Sequence, residues 1–159
     1  MYFCALICYN YSIQMNGENL MKLLALGDVV SAAGCEFVRK KLPEIKREHG
    51  IDVCIANAEN SAVGNGTLPF SADHLFSSGV DFLTGGNHSF RRKEILPYME
   101  SRGDIIRPYN MHPSNPGKGT GIIDMGRYRI GVINLIGNSF SNTAYANVFD
   151  SLDRAIAEL

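Results

Sequence analysis

Short apolar runs alternate with stretches of helical periodicity from residue 21 onward, and this alternation constrains the fold more than any other feature of the sequence. Four runs have the length and composition of buried strands, at residues 22–27, 52–57, 80–83 and 104–107. Three helical patterns separate them, at residues 34–49, 71–78 and 93–101. Strands that alternate with helices predict an α/β fold with a mostly parallel sheet.

The first helical pattern illustrates the periodicity. Four apolar side chains share one face of the helix predicted over 34–49: Cys35, Val38, Leu42 and Ile45. Pro43 is expected to kink this helix or to start a new turn, and Gly50 is expected to end it.

The later part of the chain predicts an antiparallel element. A loop rich in Pro, Gly and Asn covers 108–119, and strand patterns at 121–125 and 128–136 flank Gly126-Arg127, which is typical of a hairpin turn. A final amphipathic helix is marked by Val148, Leu152, Ala155, Ile156 and Leu159.

Composition narrows the classes of function. The 159 residues, 45% apolar and 19% charged, are typical of one globular domain with a substantial core. A formal net charge of −1 gives no broad attraction to nucleic acid or to an anionic membrane, and no apolar run is long enough to span a bilayer. We therefore expect no membrane association and no stable nucleic-acid complex. The four cysteines form no CxxC pair, which predicts free thiols in a reducing cytoplasm.

Residues 1–20 differ from the rest of the chain. The first 13 residues contain aromatics and two cysteines but no basic residue, so they lack the charged start of a signal peptide. Met21 begins the regular pattern, and we interpret 1–20 as a non-native or disordered leader before a natural start at Met21.

Polar side chains follow three successive predicted strands at the point where each strand ends. Asp28 follows the first, Glu59 and Asn60 follow the second, and Asn87 and His88 follow the third in a Gly-Gly-Asn-His loop. The carboxyl ends of parallel strands share one edge of a sheet, so these groups are expected to lie together. Carboxylate, amide and imidazole ligands suit divalent cations such as Mn²⁺, Fe²⁺ or Zn²⁺.

Each of these residues also has a simpler explanation when taken alone. Asp28 could cap the following helix, Glu59 could be an exposed loop charge, and the asparagines could be turn residues. His88 could be a surface histidine, which is how we interpret the other three: His49, His74 and His112. Three consecutive strand ends with the same chemistry favour a functional site over independent coincidences.

The motifs around these residues support a family resemblance. They occur in the order Gly27-Asp28-Val29-Val30, Asn57-Ala58-Glu59-Asn60-Ser61-Ala62, Gly64-Asn65-Gly66, Gly86-Asn87-His88 and Lys93-Glu94-Ile95. Further matches follow in register at 106–110, 116–119 and 132–135. Over residues 21–159 the chain resembles the YmdB-like metallophosphoesterases of bacteria.

The resemblance implies a calcineurin-like metallophosphoesterase fold and a phosphodiesterase activity that includes 2′,3′-cyclic nucleotides. It implies two divalent metal ions (Fe, Mn or Zn), with Asp28 and Asn60 on the first metal and Asn87 on the second. Glu59 would bridge the two metals. His88 would be the general acid that protonates the leaving oxygen.

Two departures from the superfamily pattern affect this interpretation. Val30 stands where the wider superfamily has a histidine, a lack that the YmdB-like branch shares. Family members also draw three more histidine ligands from a second half, and this sequence has no histidine after His112. We therefore expect residues 21–159 to be the amino-terminal portion of a single domain, to hydrolyse bis-p-nitrophenyl phosphate poorly on their own, and to expose sheet surface that favours a homo-oligomer.

Two alternatives stay open at the level of sequence. One is a non-catalytic binding or regulatory remnant that keeps the fold without holding two metals. The other is a nucleotide-binding α/β domain without metal, which is weaker because the chain has no GxGxxG or P-loop sequence. Metal content distinguishes the phosphodiesterase from the remnant.

Overall fold

A five-stranded sheet forms the centre of the fold in the computed structural model, which describes residues 11–13, 21–137 and 145–159. Its strands lie side by side in chain order: β1 Tyr11–Ile13, β2 Met21–Asp28, β3 Val53–Asn57, β4 Phe82–Thr84 and β5 Ile105–Ile106. β2 to β5 are parallel, and β1 pairs antiparallel with β2. The predicted α/β fold with a mostly parallel sheet is therefore confirmed.

Helices connect the parallel strands, as the alternating pattern predicts. They are α1 Ser31–His49, α2 Pro69–Ser77 and α3 Ile95–Glu100, followed late in the chain by α4 Val148–Glu158. The predicted hairpin is also present: β6 Thr120–Asp124 and β7 Arg129–Ile133 form a separate antiparallel sheet. β7 ends three residues before the boundary at 136 that the sequence predicts.

The sequence correctly predicts how α1 is oriented. Cys35, Val38 and Leu42 are buried in the core, and the helix continues through Pro43. Gly50 ends it with a left-handed backbone (φ 62°, ψ 46°), and its N–H donates to the carbonyl of Lys46.

Each face of the sheet carries its own apolar cluster, because side chains alternate along a strand. The larger cluster joins the sheet to the helices and includes Leu24, Cys54, Leu83 and Ile105 together with Leu42 of α1. The smaller cluster lies between the sheet and the hairpin and is formed by Phe82, Ile106 and Val132. The β6–β7 hairpin is therefore packed on the side of the sheet that α1 leaves open.

The final helix forms where the sequence predicts it, but its apolar face is only partly covered. Ala155 is buried, whereas Ile156 is 58% exposed and Leu159 is 44% exposed. Within the described residues, α4 rests mainly on β7, so most of its apolar side chains contact solvent.

The leader assignment and the cysteine prediction extend beyond the described residues. Residues 11–13 form β1, the other residues of 1–20 lie outside the described part, and their assignment as a leader stays a prediction. Cys35 and Cys54 are buried, and neither is in a disulfide, as expected, while Cys4 and Cys8 lie outside the described part. Burial raises the pKa of the Cys35 thiol. In the described ranges, no helix has both the length and the apolar character that crossing a membrane requires.

The contact between hairpin and sheet gives a test of the fold. A Cβ at Gly121 would lie 2.5 Å from Cζ of Phe82, so Gly121→Ala must push β6 away from the sheet. We expect it to lower the free energy of unfolding by about 1–3 kcal/mol, as overpacking does. Gly103→Ala is the matched control, because a Cβ there meets nothing within 4 Å, and its effect should stay within about 0.5 kcal/mol. Urea unfolding of both variants measures the difference; equal stability would contradict the packing described here.

Candidate functional site

Backbone hydrogen bonds align the loops that follow β2, β3 and β4. The ladder continues past the strand ends through N–H to carbonyl bonds from Val29 to Asn57 (2.9 Å), from Ala58 to Thr84 (2.9 Å) and from Gly85 to Ile106 (2.8 Å). Each loop is therefore bonded to its neighbour through its backbone, close to the end of the strand that it follows. This brings together residues that are about 30 positions apart in the sequence.

A chain of side-chain hydrogen bonds joins the three loops. Asn60 Nδ2 donates to Asp28 Oδ2 at 2.7 Å, and Asn60 Oδ1 lies 2.8 Å from His88 Nδ1. An ionised carboxylate only accepts hydrogen bonds, so Asp28 orients the Asn60 amide with its nitrogen toward the carboxylate and its oxygen toward His88. An amide oxygen likewise only accepts, so this orientation favours a hydrogen on Nδ1 of His88 and leaves Nε2 for other partners.

Glu59 binds the backbone of the same histidine. Its Oε2 accepts from the His88 N–H at 2.9 Å, and the Glu59 N–H donates to Asn57 Oδ1 at 2.9 Å. The carboxylate lies directly against Gly86, where any Cβ would overlap it. The second glycine of the Gly-Gly-Asn-His loop is thus required by this close approach rather than by a turn.

Three supporting residues have no role in the sequence-based site. Ser89 is buried, and its Oγ accepts from the Gly86 N–H at 3.0 Å. Asn134, just after β7, donates from Nδ2 to the Gly85 carbonyl at 2.9 Å. The sequence pattern extends this strand to 136 and so places Asn134 inside it, which is why the strand-end criterion did not identify this residue.

Ser31 is the third supporting residue and has a strained backbone. Its φ is 61°, a left-handed conformation that is uncommon for a residue other than glycine. Its N–H donates to the Asn60 carbonyl at 2.8 Å, which fixes the start of α1 to the loop that carries Asn60. Sequence pattern gives no sign of this conformation.

The structure joins four of the five predicted site residues in one network: Asp28, Glu59, Asn60 and His88. Asn87 belongs to the same loop as His88, but its side chain is exposed and makes no hydrogen bond to the described residues. Its role as a metal ligand stays a prediction.

The donor set suits one side of a metal site. Asp28, Glu59 and Asn60 supply oxygen atoms, which bind divalent cations such as Mn²⁺ and Fe²⁺. Within 11–13, 21–137 and 145–159, no three or more His, Cys, Asp or Glu side chains form a group that could hold a metal ion. The donor set of this chain therefore consists of carboxylates and amides, and its role as a metal site stays a prediction.

The three other histidines do not join the network. His49 and His112 are exposed, as predicted for surface residues, and His112 Nδ1 lies 2.7 Å from Ser114 Oγ. The prediction for His74 is wrong: its ring is partly buried between α2 and α1, and its Nε2 is buried without a hydrogen-bond partner. The sequence missed this because α1, which covers the ring, is distant in the chain.

The fold and the site together define an α/β protein with carboxylate, amide and imidazole groups at the carboxyl ends of parallel strands. The model of the YmdB-like protein family matches residues 24–159. The chain belongs to the YmdB-like family, and the resemblance stated from the motifs is confirmed.

Individual relatives agree with this assignment. The chain is 34% identical over 120 residues to the 2′,3′-cyclic-nucleotide 2′-phosphodiesterase of Bacillus subtilis strain 168, a match that covers 76% of this chain and 46% of that protein. The chain spans about half the length of the curated relatives it matches, between 44% and 50%.

Solved structures share the fold. The crystal structure of a hypothetical protein from Thermus thermophilus superposes with a TM-score of 0.81 at 34% identity, covering 87% of this chain and 54% of that one. That of a novel phosphatase from Mycoplasma pneumoniae gives a TM-score of 0.80 at 30% identity, covering 87% and 51%.

The close contact at Gly86 predicts a sensitive position. Gly86→Ala should displace the Glu59 carboxylate, break its bond to the His88 N–H and destabilise the protein by about 1–3 kcal/mol. The chemical shift of the His88 amide and the urea midpoint measure the two effects. Gly103→Ala serves again as the control that adds a methyl group to open space. An unchanged His88 amide in Gly86→Ala would contradict the contact.

The orientation of the Asn60 amide predicts the tautomer of His88. At a pH where the ring is neutral, two-bond ¹⁵N–¹H correlation should show the hydrogen on Nδ1, because the group facing it is an acceptor. Asn60→Ala should remove this preference. His112, which contacts Ser114 instead, is an internal control whose signals should not change. A hydrogen on Nε2 of His88 in the unsubstituted protein would show that the amide is turned the other way.

Proposed function

We propose that the protein is a metal-dependent phosphodiesterase that hydrolyses phosphodiester bonds, with 2′,3′-cyclic nucleotides as the substrate class. The observation that carries this proposal is the Asp28–Asn60–His88 chain of hydrogen bonds at the strand ends. The name of the Bacillus subtilis relative supports the substrate class. Because the chain spans about half of its relatives, the proposal concerns the whole protein.

His88 is proposed as the general acid. Its Nδ1 is held by Asn60, so the imidazolium would present the N–H of Nε2 to the substrate. The bond from its backbone N–H to Glu59 fixes the residue at a second point. Asn60 is a positioning residue in this scheme, because it acts on the reaction through the ring that it orients.

Two divalent metal ions (Fe, Mn or Zn) are part of the proposal, held by Asp28, Glu59, Asn60 and Asn87. The charges of the site support it, since a phosphodiester anion beside the Asp28 and Glu59 carboxylates would be repelled. Bound cations would remove this repulsion, withdraw charge from phosphorus and lower the pKa of a bound water. The Asn60 oxygen has two lone pairs, so its bond to His88 leaves one for a cation.

The proposed reaction is an in-line displacement at phosphorus. A water oxygen forms the new bond to phosphorus as the bond to the leaving sugar oxygen breaks, and the attacking water releases one proton to solvent, from which His88 takes up a proton again after turnover. His88 gives its Nε2 proton to that oxygen, and the products are a phosphomonoester and a free hydroxyl. The residues of this chain orient the acid, and they contribute ligands on one side of the phosphate.

The proposed location is the cytoplasm of a bacterium. Cys35 and Cys54 are buried and are not in disulfides, which supports a reducing compartment. The relative with the assigned phosphodiesterase name and the two structural relatives come from bacterial sources.

A second candidate is the non-catalytic binding or regulatory remnant. The observation in its favour is that the described residues contain no group of three His, Cys, Asp or Glu side chains suited to a metal. Metal analysis separates the two candidates: bound metal that is lost in Glu59→Gln supports the phosphodiesterase, and a protein that binds no metal and hydrolyses no diester supports the remnant.

The role of His88 predicts a selective loss of turnover. In the whole protein, of which this chain is expected to be the amino-terminal portion, supplied with Mn²⁺, His88→Ala should lower kcat for 2′,3′-cyclic AMP by about 10²–10⁴-fold, the usual contribution of a general acid. Metal content should change little, because the imidazole is proposed as a proton donor. His112→Ala is the matched control, since this histidine is exposed and outside the network. A His88→Ala variant with unchanged kcat would refute the assignment.

A further inference from the structure

One amide from the β6–β7 hairpin contacts the loop that carries the proposed acid. Asn134 directly follows β7, and its Nδ2 donates to the Gly85 carbonyl at 2.9 Å. Gly85 opens the Gly-Gly-Asn-His loop, which ends in His88. The proposed reaction gives Asn134 no role, and the contact joins two elements that belong to different sheets.

The place of Asn134 along the hairpin is unusual for a polar side chain. Side chains alternate along a strand, so Ile130, Val132 and Asn134 share the face of the hairpin that packs on the five-stranded sheet. Ile130 and Val132 belong to the smaller apolar cluster. An apolar side chain at 134 would extend this cluster but could not donate to Gly85. The amide therefore supplies a bond that packing cannot supply.

The backbone of Asn134 gives this donor a fixed support. Its N–H donates to the Gly119 carbonyl at 3.2 Å, and its carbonyl accepts from the Tyr109 N–H at 2.7 Å. Gly119 and Tyr109 both lie in the segment between β5 and β6. A supporting residue that is itself held in place can position a functional group precisely. Asn134 meets this condition through its own peptide groups.

The loop that Asn134 binds is compact. The Gly85 N–H donates to a carbonyl of β5 at 2.8 Å, while the Gly85 carbonyl accepts from Asn134. A Cβ at Gly85 would lie 2.1 Å from Ser89 Oγ, and this hydroxyl donates to the Gly86 carbonyl at 2.8 Å. Because the two ends of the loop are in contact, a displacement of Gly85 would also displace His88 within it.

We propose that Asn134 is a positioning residue for the phosphodiester hydrolysis, an inference that rests on the proposed function. Asn60 and Glu59 hold the ring and the backbone N–H of His88 from the neighbouring parallel strand. Asn134 holds the start of the same loop from the hairpin. A misplacement of about 1 Å is enough to slow a reaction about a hundredfold, so an anchor from a second sheet affects the rate of proton transfer. Asn134 acts through the loop and touches no reacting atom.

The first test follows His88 in the full chain by NMR. Asn134→Leu keeps the size of the side chain and removes the donor, and Asn134→Asp keeps its size and polarity but cannot donate while ionised. Both variants should shift the backbone amide signal of His88, and thermal melting checks that both fold. Asn115→Asp is the control for the added charge, because the Asn115 side chain makes no hydrogen bond to the described residues. An unmoved His88 signal in either Asn134 variant, or an equal shift in the control, would overturn the proposal.

The second test separates positioning from general stabilisation. In the whole protein supplied with Mn²⁺, Asn134→Leu should lower kcat for 2′,3′-cyclic AMP by about tenfold to a hundredfold, as expected for a displaced reacting group. KM should stay within about twofold, because the lost contact is not made to the substrate. Ile130→Ala is the structural control: it removes apolar contacts from the same row of side chains, and it should lower the urea midpoint without changing kcat.

The possible failures of this second test have different meanings. A full kcat in Asn134→Leu, a loss carried by KM alone, or an equal fall of kcat in Ile130→Ala would overturn the positioning role and leave the proposed function intact. An unsubstituted whole protein that binds Mn²⁺ and hydrolyses no diester would refute the proposed function, and with it this role of Asn134.

Discussion

The hydrogen bond from Asn60 to Asp28 is the contact on which the rest of the site depends. A carboxylate cannot donate when ionised, so this bond allows one orientation of the Asn60 amide. That orientation presents an acceptor to His88, which in turn determines the nitrogen that is free to act on a ligand. One side chain from each of three loops takes part. Asp28, at the end of β2, therefore determines through Asn60 which ring nitrogen of His88 carries the hydrogen.

Backbone hydrogen bonds hold the three loops in place independently of this chain of side-chain contacts. Parallel-ladder hydrogen bonds continue beyond the strands, and the strained Ser31 fixes the Asn60 carbonyl to the start of α1. Gly86 lets Glu59 approach the loop closely enough to bind the His88 N–H. Strain at a residue of this kind persists only where its surroundings hold it, and here the surroundings are the site itself.

Much of the fold and most of the candidate site could be predicted from the sequence. Strand and helix periodicity is local, and parallel strands bring their carboxyl ends to one edge of the sheet, so the sequence alone predicts that Asp28, Glu59 and His88 lie together. The left-handed backbone of Ser31 and the partly buried ring of His74 could not be predicted in this way. Both depend on segments that meet only after the chain has folded.

The sequence by itself determined the α/β alternation, the family and the residue types at the strand ends, because each of these depends only on local periodicity and on the order of motifs along the chain. Only the tertiary structure decided which of those residues touch. It joined Asn60 to Asp28 and His88, left the Asn87 side chain exposed, and brought Asn134 to the Gly85 carbonyl. Hydrogen-bond partners some 30 residues apart depend on strand register and on loop positions that are accurate to a fraction of an ångström, and local sequence pattern specifies neither.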